Sequence, residues 1–162
     1  MIVRRARWGA AGAAAEGERG AVPYEYLEHQ ADIGLEATGA TLEEALSDGV
    51  TGLLHLLVDV ETVEPREEVP VQASADDPGA LFVSLLNAVL AAIDLHGMFF
   101  REFRLIRVEQ EDGQWVAEGV LAGEPIDLGR HAVEIEVKAA TYGGFLAEHT
   151  GQGWRFRCVL DL

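Results

Sequence analysis

The chain has 162 residues, 49% of them hydrophobic and 25% charged, with 28 acidic against 12 basic side chains and a formal charge of -16. That length and apolar share suit one globular domain with a real core, and an acidic field of this size repels a phosphate backbone, so direct nucleic-acid binding by the folded part is not expected. No apolar run reaches the roughly 20 residues needed to cross a bilayer, and a soluble, cytoplasmic protein without membrane association is expected.

Residues 1–22, "MIVRRARWGAAGAAAEGERGAV", open with arginines and an Ala/Gly stretch. The apolar middle of an export signal is missing, because Glu16, Glu18 and Arg19 fall where it should be. The composition predicts a disordered extension over 1–22, followed by one domain over 23–162. Tyr24 to Glu28 and Ile33 to Ala37 alternate as strands. From Thr41 to about Val58, apolar residues at 42, 45, 46, 50, 53, 54 and 57 recur with the spacing of one helix face. Thr41 and Glu44 form a capping box at its start. Val69, Val71 and Ala73 then alternate as a strand.

A second helix is predicted after Asp77, a plausible N-cap, with Pro78 in the first helical position, where a missing N–H costs nothing. Its apolar positions are 82, 85, 86, 89, 90 and 93, and Gly97 ends it. The strands predicted beyond it are "EFRLIRVEQ", "QWVAEGVLAG", "VEIEVKAATY", "FLAEHT" and "WRFRCVLDL", with Asp112-Gly113 and Gly151-Gln152-Gly153 as hairpin turns. Strands grouped around two helices read as α+β: a largely antiparallel mixed sheet with two main helices packed on one face.

Chemistry-bearing residues are few. His29 and Asp32 could offer an imidazole and a carboxylate to one divalent ion. Local spacing by itself favours a plainer arrangement, an Asx-type turn at Asp32 with His29 bonded to the backbone. The final strand brings Asp161 and the carboxylate of Leu162 within one residue of each other. Hard oxygen ligands of this kind suit Mg²⁺, Ca²⁺ or Mn²⁺, and Asp32 could complete the set if the strands are neighbours; by spacing alone a terminal acid is usually just solvated. His131 and His149 stand isolated among polar neighbours, and His55 and His96 lie in helical segments. With no HExxH and one cysteine, a tetrahedral zinc site is not expected. No Walker-type phosphate loop, G-x-S-x-G or cysteine nucleophile motif occurs; Cys158 reads as core. "KAATYGG", Lys138 to Gly144, reads as a tight strand connection.

"YLEHQADIGLEATGATLEEAL" resembles the signature with which archeases begin, E-H-T-A-D-I-G followed by G-x-T-L-E-E-A, and "GEPIDLGRH", "EIEVKAATY" and "GWRFRCVLDL" resemble later blocks of that family in the same order. The resemblance covers nearly everything from residue 23 onward. It implies a compact α+β domain with helices packed on a sheet. It also implies a protein cofactor rather than an enzyme: an activator of the RtcB RNA ligase, a manganese- and GTP-dependent enzyme that joins tRNA halves in tRNA splicing and repairs RNA ends. Such an activator promotes guanylylation of the ligase and multiple turnover. The implied metal ligands are Asp32, Asp161 and the terminal carboxylate of Leu162, holding Ca²⁺, Mg²⁺ or Mn²⁺. His29, Gln30, Glu36, Lys138 and Tyr142 are candidates for supporting those ligands or meeting the partner. Gln30 stands where the family usually has threonine, and Gly143 where a histidine often follows the tyrosine.

Two other classes stay open on the residues. A metal-dependent hydrolase would use the carboxylates to activate water. A chaperone-like binding module would keep the acidic tip as structure only.

Overall fold

The computed structural model describes residues 32–162. The predicted extension over 1–22 and the predicted strand Tyr24 to Glu28 lie outside the described residues. In chain order the elements are β1 (Asp32–Gly39), α1 (Leu42–Leu57), a single 3₁₀ turn (Val60–Thr62), β2 (Glu67–Ala75), α2 (Pro78–His96), β3 (Met98–Glu111), β4 (Gln114–Pro125), β5 (Ala139–Thr150) and β6 (Gly153–Asp161).

Both helices begin where the sequence signals place them. Thr41 Oγ1 accepts the Glu44 N–H at 3.1 Å, while Glu44 Oε1 accepts the N–H of Ala40 at 2.9 Å. The capping box therefore closes one residue further upstream than its usual form. At α2, Asp77 Oδ1 accepts the Ala80 N–H at 2.8 Å, and Gly97 at φ 62° ends the helix with its N–H on the Ile93 carbonyl. A left-handed residue there favours glycine, which has no Cβ to clash. The apolar positions read from the periodicity of both helices are buried.

Among the described residues the strands form two antiparallel sheets, β1-β6-β5 and β2-β4-β3, where one sheet was expected. The α+β class holds and the division is the correction. Each helix lies against both sheets, α1 on β1 and β3, and α2 on β2 and β5, so one apolar cluster serves all four units. Only one face of each sheet is needed for this core, which is why β1, β2 and β6 alternate buried with exposed residues. Helix α2, at 19 residues, is long and apolar enough to cross a membrane by length and composition, closer to that limit than the sequence reading allowed. Here it is the core helix, with Leu81, Leu86 and Val89 fully enclosed.

The hairpin at Asp112-Gly113 has φ of 50° and 83° at its two central residues, the pair of positive values that a tight two-residue turn requires. The segment from 133 to 142 departs from expectation. Residues 133–138 do not pair as a strand; Val133 makes a single bridge to Val58, and Glu134 N–H donates to Leu57 O at 2.9 Å. Their alternating pattern serves an extended segment laid over the end of α1. "KAATYGG" is no tight connection either: its residues from Ala139 onward belong to β5, which runs on through the expected "FLAEHT" strand, with an irregularity in pairing between Thr141 and Leu146.

Close packing of the two helices rests on Gly49. A Cβ at that position would overlap the Phe82 ring, which stacks on Phe156 at 4.9 Å between centroids. Gly49→Val is expected to lower stability by about 1–3 kcal/mol through overpacking, measured by chemical denaturation; an unchanged midpoint and slope would contradict the packing described.

Candidate metal centre at the strand ends

Strand β6 lies between β1 and β5, and antiparallel pairing brings the start of β1 to the end of β6. Asp32 is the direct cross-strand partner of Asp161, and on the other side Ala139 of β5 pairs with the same residue. The adjacent pair, Ile33 and Leu160, is buried. Because side chains alternate along a strand, Asp32 and Asp161 therefore point to the same outward face, where both are exposed. Directly opposed residues hold their Cβ atoms about 4.5–5.5 Å apart. Leu162 follows with a partly buried side chain packed against the core.

Charge pairing sets this end of the face apart. Four residues along, the pair Glu36 and Arg157 is opposite in charge, with Arg157 Nη2 3.2 Å from Glu36 Oε1, and Arg155 approaches the same carboxylate at 3.7 Å. Asp32 and Asp161 form a like-charged pair, and among the described residues neither has a cationic partner. Two carboxylates held this way repel unless a cation joins them. Among the described residues no three His, Cys, Asp or Glu side chains gather as a metal shell. The two aspartates are nevertheless hard oxygen donors of the type that Mg²⁺, Ca²⁺ and Mn²⁺ accept.

Lys138 is the only lysine in the chain. Its backbone N–H donates to the Asp161 carbonyl at 2.8 Å, so its main chain lies beside that of Asp161. Every described arginine lies within ion-pair distance of a carboxylate. Lys138, exposed, is the basic residue that has no such partner among the described residues. Tyr142 is 53% exposed and meets Phe145 edge to face at 5.1 Å, in the irregular part of β5. Glu36 is held by Arg155 and Arg157 rather than aimed at the aspartates. His29 and Gln30 lie outside the described residues.

Sequence reasoning missed a buried ionic cluster. His131, expected to stand isolated among polar neighbours, is enclosed and bonded. Its Nδ1 accepts the Asp127 N–H at 3.0 Å, which places the ring proton on Nε2, 2.9 Å from Glu124 Oε2. Glu124 is 1% exposed and also accepts from both terminal nitrogens of Arg130 and from the Glu64 N–H. The spacing of Glu124, Arg130 and His131 in "GEPIDLGRH" was the available signal, but a turn rather than a strand or helix brings them together. His149 is likewise not isolated, stacking on Trp154 at 4.0 Å. Cys158 is core as read, its thiol pushed up to about 12 by burial.

The model of the Archease protein family matches residues 24–162. The chain belongs to the archease family. It is similar to the archease of Thermococcus gammatolerans, 37% identical over 140 residues that cover 86% of this chain and 98% of the relative. The archease of Pyrococcus furiosus is 34% identical over the same shares. Among solved structures, that of a Methanobacterium thermoautotrophicum protein superposes with a TM-score of 0.68 at 29% identity, over 82% of this chain and 93% of that one. An archease from Thermotoga maritima, described as a possible chaperone, shares the fold with a TM-score of 0.52 at 19% identity, over 91% of this chain and 99% of that one.

Hydrogen bonds from Arg130, then His131 and the Glu64 amide, hold the Glu124 carboxyl well below the usual carboxylate range. A depressed folded-state value means that its stabilising contribution is present above about pH 4.3, the ordinary glutamate value, and is lost as pH falls further. Glu124→Gln is therefore expected to lower Tm by a constant amount near neutrality, with the gap to wild type narrowing below about pH 4.3. A gap that stays constant down to the acid unfolding limit would show that Glu124 is not held this way.

Proposed function

We propose that this protein is a metal-binding cofactor of an RtcB-type RNA ligase, promoting the ligase's GTP-dependent guanylylation and its multiple turnover in tRNA splicing and RNA repair. The observation that carries the reading is the opposed pair Asp32 and Asp161, like-charged and without an ion-pair partner among the described residues, in a member of the archease family. Asp32 and Asp161 are the proposed main ligands of a divalent ion, Ca²⁺, Mg²⁺ or Mn²⁺, with the terminal carboxylate of Leu162 assisting. Such an ion would supply positive charge against phosphate oxygens, a positioning and electrostatic effect. Lys138, whose backbone N–H donates to the Asp161 carbonyl, brings an exposed cation to the same end of the sheet, suited to an anionic group on the partner or its nucleotide. The overall charge of -16 would steer approach to a basic partner and would do so less at high salt.

On this reading the protein has no turnover alone. Cytoplasmic residence belongs to the same proposal, since the ligase's substrates are RNA ends.

In metal-free buffer, Asp32→Asn and Asp161→Asn should each raise stability slightly, by about 0.2–1 kcal/mol, because they relieve the repulsion between opposed carboxylates. Both should abolish the rise in Tm that Mn²⁺ or Ca²⁺ produces in wild type. A cation-induced rise that survives in both variants would place the metal elsewhere or remove it.

Multiple-turnover RNA ligation by the cognate ligase, with GTP and Mn²⁺, tests the function itself. Wild type should stimulate product formation and the folded variants Asp32→Ala and Asp161→Ala should not. Full stimulation by both variants would favour a binding module with a structural tip, and phosphate-ester hydrolysis by the isolated protein would favour the hydrolase.

A further inference from the structure

The single asparagine of the chain, Asn87, lies within α2 among apolar residues, with Leu85, Leu86, Val89 and Leu90 buried around it. Its side chain makes two hydrogen bonds to one backbone residue of β5. Nδ2 donates to the Ala140 carbonyl at 3.0 Å, and the Ala140 N–H donates to Oδ1 at 2.8 Å. An amide presents a donor and an acceptor at the spacing of a peptide group, so Asn87 does for this strand edge what a neighbouring strand would do. The two bonds also fix which way the amide faces.

The position of Ala140 gives these bonds a consequence at the acidic tip. Ala140 pairs with Leu160, its predecessor Ala139 pairs with Asp161, and the N–H of Lys138 donates to the Asp161 carbonyl. Regular pairing between β5 and β6 stops after Thr141 and resumes at Leu146. A strip of three paired residues thus supports Asp161 on this side, and the buried helix α2 grips it from behind. Thr141 Oγ1 adds a bond to the Val159 carbonyl at 3.1 Å. No comparable side-chain clamp reaches the strip from the outer face among the described residues.

We propose that Asn87 is the positioning residue of the carboxylate tip: by holding both backbone groups of Ala140, it fixes the strip from Ala139 to Thr141, and Lys138 before it, against β6 and so sets where the backbones of Asp161 and Lys138 stand. The use of that geometry for metal rests on the reading given under the proposed function. The role assigned to Asn87 is exercised through the backbone of Ala140, as residues behind metal ligands commonly act.

The test compares wild type, Asn87→Leu, which keeps helix and volume but removes both bonds, and Asn87→Asp, which keeps the acceptor and loses the donor. Val83→Ala, a cavity in the same helix at a residue with no bond to Ala140, controls for general loss of stability. Amide hydrogen exchange is expected to quicken roughly tenfold at residues 138–141 and 161 in Asn87→Leu, less in Asn87→Asp, with protection at Ala117 and Leu121 of β4 unchanged. Titration with Mn²⁺ should give a Kd weakened by roughly 10–100-fold in Asn87→Leu and unaltered in Val83→Ala. Unchanged exchange at residues 138–141 and 161 would overturn the proposal, as would faster exchange with an unaltered Kd. Failure of wild type to bind Mn²⁺ would instead fell the metal reading, and the exchange result would then decide alone whether Asn87 holds the tip.

Discussion

Strand β6 has hydrogen-bonded neighbours on both sides, and its register with β1 decides where every charged side chain of that sheet stands. Moving the register by one residue would turn Ile33, Leu35 and Ala37 outward and bring Asp32 toward the core, at the cost of several buried apolar side chains worth about 1.5–3 kcal/mol each for the larger ones. The apolar face of β1 thus locks the pairing. The opposition of Asp32 and Asp161 is then a geometric result of core burial, although neither aspartate takes part in the core.

Support for the strand ends comes from further away in the chain. Residues 126–138 cross from β4 to β5 and so from one sheet to the other. Their start is held by the ring of bonds around Glu124, and their middle by backbone bonds to Leu57 and Asp59 at the end of α1. A buried carboxylate is costly unless its oxygens are fully used. Glu124 meets that condition with Arg130, His131 and the Glu64 amide, and the crossing segment is pinned as a consequence. Lys138 closes the segment beside Asp161.

The described arginines follow a single electrostatic pattern. Arginines on the outer sheet faces sit beside carboxylates, as Glu36 does with Arg155 and Arg157, and Arg107 with Glu109, Glu111 and Glu118. Such exposed pairs add little stability individually, but they cancel local charge. With 28 acidic against 12 basic side chains many carboxylates stay unpaired, so what distinguishes the tip is the direct cross-strand opposition of two like charges, Asp32 and Asp161.

Periodicity in the sequence determined both helices, their caps and the class of the fold, because each is set by neighbours within a few residues: the 3.6-residue apolar repeat, the side-chain oxygen before a first turn, the glycine that accepts a left-handed backbone. The same local rules gave the Asp112-Gly113 hairpin, and the identity of the carboxylates was legible as residues, though not as a pair by spacing alone. Only the tertiary structure decided that the strands divide into two sheets, that residues 133–138 lie over a helix end instead of in a sheet, and that His131 is enclosed. It also decided that Asp32 and Asp161 face one another and that Asn87 grips Ala140. These facts depend on which distant segments become neighbours, and that choice is made by the burial of a shared core, which alternation along one strand does not encode.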